Sequence, residues 1–179
     1  MLKEKCFTRA LRLLESGSQS IHYYMPFPIG VFGTLRKDQG NSQIMYARDP
    51  TLCCKAFLPN ITTNGITLEF QEGASAAFEV FFYEPKNWMK VIEKTDYLEG
   101  FMPELPAYYQ RTLAVLRILP DDYENNLFNQ SIDLNPNRSL EIPKETWLDY
   151  PSMPTWIYSN VDCNTIVQNS NFNPIKWWK

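Results

Sequence analysis

At 179 residues the chain is long enough for one domain, or one domain with appendages, and its 44% hydrophobic and 15% aromatic content supports a sizeable core. A formal net charge of −3, with no basic run longer than Arg36-Lys37, argues against a nucleic-acid partner, which calls for a clustered basic surplus. No apolar stretch approaches the roughly 20 residues of a membrane-spanning helix, and the opening MLKEKCFTRALRLLESGS lacks the long apolar centre of a secretory signal.

In chain order, residues 3–15 read as a helix. Leu2, Cys6, Ala10, Leu13 and Leu14 mark one face, and SGSQS stops it. With the connector that follows, it forms an N-terminal segment, 1–26. His22, in SQSIHYYMP, is the one histidine. A zinc site built on histidines is therefore excluded, and a surface or capping role is expected for this residue. FPIGVFGTL opens the main domain, 27–160, as a buried strand. Val31 and Phe32 are strand-like, Gly33 and Thr34 break the run, and Arg36 to Asn41 reads as a solvated turn.

NSQIMYARDP is ambiguous. LCCKAFLP reads as a strand, NITTNG as a turn, ITLEFQEG as a half-buried strand and SAAFEVFFYEP as a further β-prone run. Pro85 suits the first turn of a helix. Trp88, Met89, Ile92 and Leu98 supply its apolar stripe, and Gly100 closes it. YYQRTLAVLRIL is a long strand. Residues 120–153, rich in Asn, Asp and Pro and without a sustained period, read as a surface excursion placed to cover a pocket. TWIYSN is a short aromatic strand. The tail, 161–179, ends in Trp177-Trp178, and both terminal segments are candidates for self-association. The order of elements indicates an α+β domain with a mixed or barrel-like sheet.

The four cysteines, Cys6, Cys53, Cys54 and Cys163, show no C-x-x-C spacing. Adjacent Cys53 and Cys54 point to opposite faces of a strand. No disulfide framework is expected, and reduced thiols fit a cytoplasmic location. Among the acidic residues, Asp96 and Glu99 stand nearest a helix end. A carboxylate at Glu99 can reach a cleft where partial burial raises it toward a general-base range, although a glutamate before a capping glycine is more often a surface residue.

Taken in order, FGTLRKDQGN, FEVFFYEP, DYLEG, YQRTLAVL and TWIYSN resemble the gamma-glutamylcyclotransferase-like family, which includes the AIG2-like proteins and the gamma-glutamylamine cyclotransferases. The resemblance covers residues 27–119 and 154–160. It implies a small mixed β-barrel with flanking helices and an enzyme that cyclises a small gamma-glutamyl amide or peptide to 5-oxoproline, releasing an amine. No cofactor and no metal are implied. Glu99 takes the place of the family's general base and acid. Phe32, Gly33, Thr34 and Leu35 take the place of the turn that offers backbone N–H groups to substrate, and Asn41 holds that turn's shape.

Tyr109 and Arg111 match the family's Y-x-R positions and share a strand face. Arg111 either pairs with a carboxylate near the pocket or forms a structural ion pair, and Tyr158 is either a pocket or a core aromatic. Phe32 departs from the family's usual tyrosine, and no glycine opens the strand near Ala77-Phe78. These departures keep a second expectation open, a catalytically silent fold that binds a small ligand or a partner protein.

Overall fold

The computed structural model describes residues 24–64, 67–102, 107, 109–130 and 137–160. The expected helix at 3–15, Cys6, His22, Cys163, the terminal tryptophans and residues 131–136 of the excursion lie outside them. Six strands and two α-helices follow in the order β1 (Ile29–Val31), α1 (Ser42–Tyr46), β2 (Leu52–Asn64), β3 (Thr67–Phe82), α2 (Pro85–Glu99), β4 (Gln110–Ile118), β5 (Asn137–Arg138) and β6 (Ser152–Ser159). Short 3-10 turns at Asn126–Phe128 and Lys144–Asp149 lie on either side of β5.

The strand order β3-β1-β6-β4-β2 returns to β3 through the β2–β3 pairing, so five strands close into a barrel and β5 attaches to the outer part of β2. All pairs in this barrel are antiparallel except β1 with β6. Side chains alternate across each strand, and three apolar clusters follow from that alternation. Cys54, Ala56 and Leu58 of β2 meet Ala76, Phe78 and Val80 of β3, and Ala114 and Leu116 of β4, inside the barrel. The opposite faces of β1, β4 and β6 pack Ile29, Val31, Leu113 and Trp156 against Trp88, Val91 and Ile92 of α2. Phe57 and Ala77, facing outward from β2 and β3, are covered by Phe128, Leu140, Ile142 and Trp147.

That third cluster corrects the reading of 120–153 as a surface excursion. Its apolar residues lack a period because 3-10 turns and irregular backbone carry them, yet they bury one outer face of the sheet. Three further expectations change. NITTNG is strand as far as Asn64, because β2 runs through it to that residue. From Thr67 on, ITLEFQEG continues into SAAFEVFF as one 16-residue strand, whose register with β2 shifts around Ile61. Asn60 (φ 59°) and Gly73 (φ 80°) take left-handed conformations beside this bulge, and the Gly73 N–H donates to Asn60 Oδ1 at 3.0 Å. The buried stripe of α2 is Trp88, Val91, Ile92 and Thr95, an i, i+3, i+4, i+7 set, whereas Met89 and Leu98 are exposed at 37% and 40%. NSQIMYARDP supplies the five residues of α1. As expected, Cys53 is exposed and Cys54 buried.

Tryptophans fix the approach to β1. Trp88 Nε1 donates to the Phe27 carbonyl at 2.7 Å and Trp156 Nε1 to the Met25 carbonyl at 2.9 Å. Within β1, Gly30 faces the interior at a close crossing. A Cβ there would lie 2.9 Å from Thr155 Cγ2 and 3.2 Å from Ile157 Cγ2. Gly30→Ala therefore forces β1 away from β6. It is expected to cost about 1–3 kcal/mol in denaturant unfolding, and an unchanged midpoint would contradict this packing.

Candidate active site

A cavity of about 230 Å³ opens where β1 ends. Gly30 to Leu35 form one wall with Asn41, and Leu98, Glu99, Tyr109 and Tyr158 form the rest. Glu99, the turn 32–35, Tyr109 and Tyr158 are thereby brought together from four separate stretches of sequence. Arg111 is not part of the cavity wall.

Local sequence places Glu99. Pro85 starts α2 with Glu84 as its extended N-cap, and Gly100 (φ 66°) ends it. The Phe101 N–H donates to the Asp96 carbonyl at 2.8 Å and the Gly100 N–H to the Tyr97 carbonyl at 3.3 Å, a Schellman closure that makes Glu99 the last helical residue. The half-buried carboxyl of Glu99 receives no hydrogen bond from any described residue. Burial raises its pKa above the usual glutamate range, with no opposing charge, and the negative end of the helix acts in the same direction.

One turn earlier on the same helix, Asp96 has the opposite surroundings. Arg111 Nε donates to its Oδ1 at 2.9 Å, and Arg111 Nη2 to its Oδ2 at 3.3 Å. The Tyr158 hydroxyl donates to Oδ1 at 2.5 Å and lies 2.6 Å from Thr95 Oγ1. Burial raises the Asp96 pKa, while Arg111 and Tyr158 pull it down. Burial likewise holds the Tyr158 phenol well above its ordinary value, and the Asp96 charge adds to that. Its single proton is committed to Asp96, so Tyr158 offers the cavity its ring rather than a donor. Arg111 is buried over the rings of Phe101, at 5.2 Å, and Trp156, at 4.8 Å. Of the two roles open to Arg111, the geometry gives it the ion pair behind the cavity. Sequence reasoning placed Asp96 at the helix end but did not join it to Tyr158; only the β4–β6 pairing, Arg111 opposite Tyr158, does so.

The turn at 32–35 is held by its own bonds. The Asn41 N–H donates to the Thr34 carbonyl and Asn41 Nδ2 to Thr34 Oγ1, both at 2.9 Å. Asn41 thus fixes the turn, as expected. Among the described residues, none accepts from the N–H of Gly33, Thr34 or Leu35. Phe32 is buried, its ring 5.4 Å from that of Phe78, so it packs the barrel interior while edging the cavity.

The expectation of a solvated run from Arg36 to Asn41 is corrected at Arg36, which is 1% exposed and bonded to the carbonyls of Leu127, Phe128 and Gln130. The excursion therefore reaches the back of the turn; no described residue of 120–153 lines the cavity. Among the described residues, no group of three or more His, Cys, Asp or Glu could hold a metal ion, and no helix is long and apolar enough to cross a membrane.

Two outcomes follow from these electrostatics. Arg111→Met leaves Asp96 buried without its countercharge and is expected to cost about 3–5 kcal/mol. The Asp96→Asn/Arg111→Met double variant should recover part of that loss in urea unfolding. For Glu99, the folded-state pKa lies above the unfolded one. The folded chain therefore holds this proton more tightly, and the group's contribution to stability is lost as pH rises from the unfolded value through the folded one. Glu99→Gln should then stabilise the protein at pH 7, read as a higher melting temperature, with a smaller gain at pH 4.

No protein-family model, curated protein or solved structure matches this chain.

Proposed function

We propose that the chain is a gamma-glutamylcyclotransferase-like enzyme built on a barrel of that family's type, converting a small gamma-glutamyl amide or peptide to 5-oxoproline and a free amine. One observation carries the reading. A partly buried carboxylate without a partner among the described residues, Glu99, shares a cavity with a turn whose N–H groups at Gly33, Thr34 and Leu35 have no acceptor among them. At about 230 Å³ the cavity is smaller than the roughly 300–1,000 Å³ typical of drug-sized ligands and suits an amino-acid-sized one.

In this reading the turn binds an anion, the substrate's α-carboxylate or the oxyanion that forms at the γ-carbon. The cavity folds the substrate so that its α-amine meets its own γ-carbonyl, and ring closure is intramolecular, so much of the entropic barrier is removed on binding. Glu99 takes a proton from the α-ammonium. The amine nitrogen bonds to the γ-carbon, the carbonyl electrons move to oxygen, and on their return the amide C–N bond breaks. Glu99 gives its proton to the departing nitrogen, and the second proton that the new ring nitrogen must lose passes by way of Glu99 to the same amine, which leaves as an ammonium while Glu99 ends ionised as it began. The raised Glu99 pKa serves the first step, since the carboxylate is a stronger base than an exposed one.

A catalytically silent binding protein is the second reading, and Phe32 favours it. Its ring is packed on Phe78 and brings no hydroxyl to the cavity where the family usually has tyrosine.

Release of 5-oxoproline from a panel of gamma-glutamyl amines and dipeptides separates the two. The enzyme reading expects turnover, with kcat/KM falling at least about 100-fold in Glu99→Gln. Binding without turnover supports the silent fold, and turnover that survives Glu99→Gln sinks the assigned base. The pH profile is a further check. The acidic limb of kcat/KM should lie above the usual glutamate pKa of about 4.3. The limb of kcat should lie lower, because a bound α-ammonium favours the ionised carboxylate.

A further inference from the structure

Arg36 takes no part in the chemistry above, yet it is among the most deeply buried side chains, and its bonds tie the anion-binding turn to residues 127–130. Nε donates to the Gly33 carbonyl at 3.3 Å, Nη1 to those of Leu127 and Phe128 at 3.0 and 3.3 Å, and Nη2 to that of Gln130 at 2.7 Å. The Arg36 backbone N–H adds a second bond to the Gly33 carbonyl at 3.1 Å. Burying a charged side chain is costly without such partners, and the fixed guanidinium fork meets carbonyls 91 to 94 residues away in sequence. The next peptide is also held, because the Lys37 N–H donates to Glu79 Oε2 at 2.7 Å.

The Gly33 carbonyl and the Thr34 N–H belong to one planar trans peptide, in which the two groups point in opposite directions. Two donors on the carbonyl therefore fix the direction of the Thr34 N–H, and a cationic donor polarises it further. We infer that Arg36 is a positioning residue that orients the Thr34 N–H toward the substrate's carboxylate and strengthens its pull on that anion, with residues 127–130 as its anchor. The inference rests on the cyclotransferase reading of the site. Arg36 stays cationic at neutral pH, since burial lowers its pKa only to about 10. The charged groups facing it are Arg138, which acts with burial, and Glu79, which opposes.

The test compares binding of 5-oxoproline with that of its carboxamide, by calorimetry, in wild type, Arg36→Met and Arg36→Lys. The ratio of the two affinities cancels any general loosening of the cavity. Wild type is expected to favour the carboxylate at least tenfold, Arg36→Met to lose most of that preference, and Arg36→Lys, which keeps the charge without the fork, to fall between. Should Arg36→Met not fold, Arg36→Lys alone decides, with a fall of at least threefold in the ratio expected. An unchanged ratio in a folded variant overturns the role of Arg36 and leaves the cyclotransferase reading standing. A wild type that does not distinguish carboxylate from carboxamide overturns both, and the fault then lies with the cradle itself.

Discussion

The three residues of β1 hold the barrel shut. Ile29 to Val31 pair antiparallel with β3 on one side and parallel with β6 on the other, and without that bridge β3 and β6 would be two edges of an open sheet. So short a strand contributes few hydrogen bonds, and its place is set by what surrounds it. Gly30 lets the backbone sit against Thr155 and Ile157, and two indole N–H groups hold the chain on its way in. The turn at 32–35 leaves directly from this strand. Its position relative to α2 is therefore a consequence of barrel closure, and the cavity exists because the strand ends where the C-terminus of α2 passes.

Two carboxylates on α2, one turn apart, divide the labour of that region. Asp96 is surrounded by donors and faces Arg111 and Tyr158, which is the arrangement of a structural charge. Glu99 is partly buried with no countercharge to offset burial, which costs stability when it is ionised. Environments that push neighbouring acids toward different tasks are a recurring feature of acid–base sites. The helix end serves both residues. The bond from the Phe101 N–H to the Asp96 carbonyl fixes the last turn, and the buried Phe101 ring lies beneath the Arg111 guanidinium.

Features governed by neighbours in sequence were legible before the fold was known. Pro85 and Gly100 bound α2 as their conformational preferences require, and the alternation of Cys53 and Cys54 follows from strand geometry. The gathering of Glu99, the 32–35 turn, Tyr109 and Tyr158 around one cavity was expected from the family resemblance, not from any local pattern. Features set by distant partners were not legible. Arg36 stands in a polar run and reads as solvated, because the carbonyls that bury it come from residues 127–130. The 16-residue β3 was divided at Gly73, where composition signals a break and the sheet instead absorbs a bulge. Phe128, Leu140, Ile142 and Trp147 form a core without periodicity, so no pattern search along the chain could join them. Thr95 fills the helix stripe in place of an apolar residue because it meets the Tyr158 hydroxyl.

The central claim is that one anion-binding turn and one carboxylate act on the same small molecule. A crystal structure of the protein with 5-oxoproline tests it most directly. The account expects the ligand's carboxylate within hydrogen-bond distance of N–H groups from Gly33 to Leu35, and its ring amide within reach of the Glu99 carboxyl. A ligand bound outside this cavity, or one whose carboxylate turns away from the 33–35 turn, would contradict it.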